Sequence, residues 1–292
     1  MNKNLKCFLS IIIAGSLWGT TGIFTRTLTP LGVSGTDLTF VRAFVTFIAV
    51  AVIILFKDKS LFKIDLRDIW QFFCSGIFSF LFFSICYMFS IEKNSLSAAA
   101  ILLYTAPVFI AIISVPVFKE RLTAKSAVAL VLAVGGCTLV ALNGDIKVTK
   151  IGLLYGLGSG IGYALYSIFG KISAKKYSSF TITLYTFLFA SIGGIFFTKP
   201  KTLILGFGNP KALALTLLCA VVTTLLPYLF YTYGLSHTKA SIASIIATVE
   251  PVVASLIGFA VFKENLKIFG ILGIITVVFA VFLLNYKREE NC

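Results

Sequence analysis

Residues Lys239–Leu266 read KASIASIIATVEPVVASLIGFAVFKENL, and residues Ser95–Leu122 read SLSAAAILLYTAPVFIAIISVPVFKERL. Each is apolar over a length that crosses a hydrocarbon core of about 30 Å as a helix. A shift of 144 positions aligns them without a gap. Ser97 meets Ser241, Ala99 meets Ala243, Ile101 meets Ile245, and Pro107-Val108 meets Pro251-Val252. Both copies end in Phe-Lys-Glu-x-x-Leu, at Phe118–Leu122 and Phe262–Leu266, and further back Tyr87 meets Tyr231. Chance matching of apolar residues does not supply an ungapped proline followed by that ending. The match breaks at a charge: Ala106 stands where the second copy has Glu250.

Working outward, the rest of the chain is equally apolar. Hydrophobic residues make up 58% of 292 and charged residues 12%, with a mean hydropathy of +1.00. A water-soluble domain cannot cover that much apolar surface, so lipid is the expected solvent. Ten apolar runs follow one another, at about 7–25, 36–56, 69–91, 95–118, 124–142, 151–171, 178–198, 212–235, 239–262 and 266–286. The first follows a short basic start and could pass for a signal peptide. It lacks a small-residue cleavage site and holds Trp18, so it reads as the first membrane helix. The longest connection, Lys199 to Lys211, carries Gly206, Gly208, Asn209 and Pro210 and reads as a loop. The expected fold is an all-α membrane protein of ten transmembrane helices in two five-helix repeats, 1–142 and 151–286. Five is odd, so the second repeat enters the membrane inverted.

The formal charge of +14 would suggest nucleic acid on a soluble surface. Here the basic residues sit between apolar runs, where they meet anionic headgroups, and no nucleic-acid partner is expected. Ten crossings put both termini on one side. Segments on that side hold 15 Lys and Arg; segments on the other hold 9, and Arg42 lies within a span. Positive-inside then places both termini in the cytoplasm of an inner or plasma membrane. The six cysteines are scattered and His237 is the only histidine. No ligand spacing exists, so neither a metal nor a cofactor is expected.

The Trp18-Gly19 pair in span 1, Val41-Arg42-Ala43-Phe44 in span 2, the Phe-Lys-Glu-x-x-Leu endings of spans 4 and 9, and Glu250-Pro251-Val252 together resemble the drug/metabolite transporter superfamily, and its EamA-type members in particular. The resemblance covers almost the whole chain. It implies a basket-shaped bundle with a central cavity lined mainly by spans 1, 3, 4, 6, 8 and 9. It implies no single substrate, because members move amino acids, sugars, nucleotides, cations and other metabolites.

Helical spacing points to the same spans. Ser97, Ala100, Tyr104, Pro107, Ala111 and Ser114 share a stripe in span 4; Ser241, Ser244, Thr248, Pro251, Ser255 and Gly258 share the equivalent stripe in span 9. Small and hydroxylic stripes face protein or water rather than lipid; tight helix packing explains them as readily as a cavity does. Large polar-tipped residues favour a cavity. The candidates for substrate contact are Trp18, Tyr87, Tyr104, Tyr163 and Tyr166, then Thr224, Tyr228 and Tyr231 of span 8, and Ser244, Thr248 and Glu250 of span 9. Aromatic rings among small residues could stack on a ring or hold a cation. Pro107, Pro227 and Pro251 free the carbonyls of Leu103, Thr223 and Ala247 and are candidate bends or gating points.

Of the charges, Arg42 and Glu250 lie inside spans, where a charge is a functional candidate by default. Glu250 is a candidate proton carrier or partner of a cationic substrate; an ion pair that locks helices is the structural alternative. Arg42, close to Asp37, has a structural or a substrate-facing role. These features predict a secondary transporter of a small organic metabolite, with amino-acid or metabolite export first. Choline or quaternary-amine uptake, or efflux of cationic drugs, is the second reading, with protons as a candidate coupled ion. The chain is expected as a monomer or homodimer. No nucleophile–base pair or phosphate loop supports an enzyme, and a lipid scramblase would need a lateral opening.

Overall fold

The structure is a computed structural model and describes residues 3–144, 146–198 and 208–285. Part of the expected 199–211 loop, residue 286 of the tenth run, and Lys287 and Arg288 fall outside the described residues. All regular elements among the described residues are helical. Nine segments are long and apolar enough to cross a membrane: span 1 (Asn4–Leu31), span 2 (Gly35–Lys57), span 3 (Leu66–Lys93), span 4 (Leu96–Phe118), span 5 (Ala124–Ala141), span 6 (Lys150–Ser173), span 7 (Ser179–Phe197), span 8 (Pro210–Ser236) and span 9 (Ala240–Phe262). A tenth apolar helix, Ile268–Leu284, is shorter in its described part. The chain is therefore a multi-pass membrane protein. Its outer surface agrees: Phe196 is 83% exposed and Val131 71%, positions that lipid tails cover.

Six of the spans open on a helix whose start is written into the sequence as a cap. The hydroxyls of Ser34, Ser95, Thr123, Thr149 and Ser178 each accept a backbone N–H three residues on, and Asn209 accepts that of Lys211. Span 9 has Lys239 at this position, with no side-chain cap of its own. Spans 4 and 9 end alike. Lys119 and Lys263 take left-handed backbone at φ 54° and 57°. The next amides, Glu120 and Glu264, then reach back to the carbonyls of Ser114 and Gly258 at 3.4 and 3.1 Å, the wrap-back of a Schellman-type end.

Loop contacts sort into two ends. At one end Asp65 and Asp68 meet Lys176, the Leu61 carbonyl meets Thr181, and the Arg121 carbonyl meets Lys239. There the Lys176 ammonium is held above the usual lysine range by the Asp68 carboxylate and the Tyr177 hydroxyl. At the other end Ser95 meets Lys147, Asn94 meets Thr149, Asn143 meets Asn265 and Lys267, and Arg26 meets Glu264. None of these contacts joins one end to the other, as alternate crossings require.

The most extensive interhelical contacts come in matching pairs. Span 3 packs on span 6 as span 8 packs on span 1; span 4 packs on span 6 as span 9 packs on span 1. Spans 2 and 7 pair, as do span 5 and the tenth helix, and span 4 meets span 9. Exchanging each helix in these pairs with the one five away returns the same pairs.

Five of these helices are interrupted or closely packed around the centre. Spans 4 and 9 break before their prolines: helix Leu96–Leu103 gives way to Ala106–Phe118, and Ala240–Ala247 to Val249–Phe262. Pro107 and Pro251 each sit in the first turn of the new helix, where a missing N–H costs nothing. The hydroxyls of Thr105 and Thr248 donate to the carbonyls of Leu102 and Ile245 at 2.6 Å, satisfying acceptors at the break. Spans 3 and 8 carry wide π-helical turns, at Ser75–Leu81 and Val221–Leu225. Span 1 lies close on span 9: a methyl group at Gly19 would stand 2.8 Å from the Glu250 carbonyl oxygen, and one at Gly15 2.9 Å from that of Ala247.

Candidate transport chamber

The broken and close-packed helices enclose two adjoining pockets. One is lined by Trp18, Ser79, Phe80, Phe83, Tyr163, Tyr166, Ser167, Tyr228 and Tyr231. The other is lined by Leu103, Tyr104, Ala106, Pro107, Tyr163, Ser244, Ala247, Thr248 and Glu250. Tyr163 borders both and stands between them, and the two neighbouring pockets are called the chamber below, with Tyr163 as its waist. Its walls come from spans 1, 3, 4, 6, 8 and 9, the set that the family resemblance implied.

The first pocket is an aromatic box. The Trp18 ring lies 5.3 Å from Tyr228, 5.3 Å from Tyr231 and 6.0 Å from Tyr163, with tilted or edge-on geometry. Tyr228 stands edge-on to Tyr166 at 4.8 Å and to Phe187 at 4.9 Å. Edge-to-face packing suits the ring quadrupoles and fixes their orientation. Two hydroxyls are committed to structure: Tyr166 shares a 2.7 Å hydrogen bond with Thr232, and Tyr231 shares one of 2.7 Å with Ser167. The hydroxyls of Tyr163 and Tyr228 make no hydrogen bond among the described residues, nor does that of Tyr104 across the waist. With the Ser79 hydroxyl, which also lacks a hydrogen-bond partner among the described residues, these are the free hydroxyls on the walls.

The second pocket holds the acid. Glu250 sits in the first turn of helix Val249–Phe262, so its depth is set by the break that Pro251 imposes. Its carboxylate has no hydrogen bond and no ion pair among the described residues. It is within electrostatic reach of Arg42 and of Tyr87, Tyr104, Tyr163 and Tyr228. Ser244 and Thr248 line the same pocket but spend their protons on backbone carbonyls of their own helix, leaving lone pairs to accept.

Five sequence candidates lie outside these walls: Arg42, Tyr87, Thr224, Pro227, and Pro251 in the turn that carries Glu250. Arg42 donates from Nε to the Thr224 hydroxyl at 2.7 Å and from Nη2 to the Thr223 carbonyl at 3.0 Å. Thr223 is the residue whose carbonyl Pro227 frees, so the proline supplies the acceptor and the arginine fills it. Arg42, Thr224 and Pro227 thus form a cross-brace between spans 2 and 8. Tyr87 stacks beside Phe83 at 6.1 Å, one ring removed from the chamber. Phe80 and Ser167 line the wall without having been singled out; an apolar ring in span 3 and a serine in a glycine-rich run carry no signal that separates them from packing.

An all-helical bundle of membrane length, closed around a chamber that holds an unpartnered acid, is the build of a membrane transporter. The chain belongs to the EamA-like transporter family, whose sequence model matches it twice, over residues 5–142 and 150–286. It is 29% identical over 268 residues to an uncharacterized transporter of Archaeoglobus fulgidus, covering 90% of each chain. It is 24% identical to the uncharacterized transporter YwfM of Bacillus subtilis, over 97% of this chain and 95% of that one. It is 22% identical to the uncharacterized transporter YetK of the same organism, over 80% and 73%. A solved crystal structure superposes with a TM-score of 0.80 over 96% of each chain at 13% identity and shares the fold. The relatives are transporters, which sets this chain apart from enzymes. Its partners are accordingly a small-molecule substrate and the lipid bilayer.

Proposed function

We propose that the chain is a secondary transporter that exports an amino acid or a related small metabolite by alternating access. Two inverted five-helix repeats, 1–142 and 151–286, rock about the chamber so that it opens to one side at a time. The paired family matches and the matching pairs of helix contacts support this division. The observation that carries the reading is the Glu250 carboxylate, which faces the chamber without a hydrogen bond or ion pair among the described residues. A carboxylate removed from water needs a positive partner or a proton. An ammonium group on the substrate supplies the first; a coupled proton supplies the second.

The aromatic box favours a second reading. Trp18, Tyr163 and Tyr228 surround a space next to that acid, the chemistry that holds a quaternary ammonium. Choline-like uptake or cationic drug efflux would use the same residues. In either case the protein sits in the inner or plasma membrane with both termini in the cytoplasm, as the excess of basic residues on that side supports, as a monomer or homodimer. Each pocket as it stands admits about one water-sized sphere, so substrate entry requires the helices to part. The test is counterflow in proteoliposomes, with amino acids and quaternary amines as separate arms, for the native chain and E250Q. Loss of counterflow in E250Q is expected. Unchanged rate and unchanged pH dependence would remove Glu250 from both coupling and recognition.

A further inference from the structure

The repeated Phe-Lys-Glu-x-x-Leu ending places a glutamate at each end of the bundle, and the two are engaged differently. Glu120 is buried, 9% exposed. Its Oε1 accepts the Ala240 amide at 2.8 Å, and its Oε2 accepts the Ser241 hydroxyl at 2.7 Å and the Ser241 amide at 3.4 Å. It therefore serves as the cap that span 9 lacks, reaching across from the end of span 4. The pair also gains from the helix dipole, since a carboxylate at an N-terminus is stabilised there.

The equivalent contact at the other end would join Glu264 to Leu96 and Ser97. It is not made. Glu264 turns to Arg26, at 2.5 Å, with both side chains nearly half exposed, and its carboxylate folds back over Gly258. Arg26 in turn covers the Phe262 ring at 4.5 Å. Span 4 is capped by its own Ser95 instead, and the Ser97 hydroxyl has no hydrogen-bond partner among the described residues. One element thus occurs twice and is seen in two states, locked at the Glu120 end and unlocked at the Glu264 end.

We propose that these two turns are the latches of the transport cycle, engaged alternately, with Arg26 holding Glu264 while its latch is open. The proposal rests on the inverted-repeat reading above. When the bundle inverts, Glu120 releases Ala240 and Ser241, and Glu264 leaves Arg26 to cap Leu96 and Ser97. The exposed Arg26–Glu264 pair is weak enough to exchange, whereas the buried cap at Glu120 holds the closed end. Arg26 has Gly170 as its counterpart 144 positions on. The next residue, Lys171, holds the carbonyls of Leu235 and Thr238 at 2.8 and 2.6 Å, so a cation stands near the locked latch too.

The test places a cysteine in the chamber, Ala106→Cys, and measures its modification by a membrane-impermeant thiol reagent in right-side-out and inside-out vesicles. Modification at residue 106 is read by mass spectrometry, so the native cysteines stay in place. E120Q unlocks the closed end and R26Q frees Glu264 to lock the open one. Both are expected to raise the labelling rate from the Glu120 side by about fivefold, the population change that accompanies loss of a helix cap, and to lower it from the Glu264 side. E264Q is expected to act in the opposite direction. R26Q lies on the exposed end, so the test survives if E120Q fails to fold. Equal rates in R26Q, E264Q and the parent, or shifts of one sign for both, overturn the latch. If labelling from one side responds to added substrate while none of the three variants changes it, the latch fails and the transport reading stands. If no reagent reaches residue 106 from either side in any variant, both fail.

Discussion

Spans 4 and 9 are copies that solve the same packing problem with opposite residues. Each breaks at its proline, resumes as a helix, and ends in a left-handed lysine. At the break, the first copy has Ala106, and Tyr163 shares its pocket. The second copy has Glu250, and Gly19 lies against its backbone. Gly19 and Tyr163 are themselves equivalent, 144 positions apart, as are Trp18 and Gly162. One side of the chamber therefore pairs a small residue with a large aromatic, and the other pairs a glycine with an acid. The scaffold is two-fold, but the chemistry is not. On the transport function proposed above, a site built this way suits a substrate with two different ends.

That contrast can be broken at several points. Removing the acid should have the largest effect. Losing one partner of a buried charge pair costs about 2–5 kcal/mol, so E250Q should weaken binding of a cationic substrate by roughly thirtyfold or more, read as the half-saturation concentration in counterflow. Cutting the cross-brace comes next. R42Q gives up charged hydrogen bonds to Thr224 and the Thr223 carbonyl, worth about 1.5–3 kcal/mol; its melting temperature in detergent should fall clearly. Filling the glycine side is comparable or smaller: G19A forces a methyl against span 9, and overpacking of this kind costs about 1–3 kcal/mol, again read by thermal melting. The finest distinction lies between two tyrosines. Y231F loses the bond to Ser167 and should destabilise by about 1 kcal/mol. Y163F loses no hydrogen bond among the described residues, so its melting point should hold while its transport kinetics change. If Y163F destabilises and Y231F does not, the division between wall and waist is wrong.

Much of the frame was legible because membrane helices declare themselves by length and hydropathy. Nine expected runs correspond to helices of spanning length, and the tenth to a shorter helix. Helix caps at Ser34, Ser95, Thr123, Thr149 and Ser178 lie where a hydroxyl precedes an apolar run. Of the candidate wall, Trp18, Tyr104, Tyr163, Tyr228 and Glu250 do meet around one chamber, because a large polar-tipped residue among small ones has few other places to go. Thr224 and Arg42 were harder to read. A hydroxyl and a guanidinium from distant spans look like chamber residues until the Thr223 carbonyl shows where they point. Glu120 was the least legible. In the sequence it is one charge in a loop; its burial depends on span 9 lacking a cap, a property of a segment 120 positions away. Short apolar stripes likewise could not separate Phe80 from a packing residue.

The contact between Gly19 and the Glu250 carbonyl ties the neighbouring Trp18 to the acid through backbone rather than through side chains. Rotamer changes cannot alter the spacing of that tryptophan and that carboxylate-bearing turn. In the alternating-access cycle proposed above, the two turns would travel together whenever span 9 moves. On that reading, a bound cation would keep the same two turns beside it through the cycle, while the tyrosines on the remaining helices change around it.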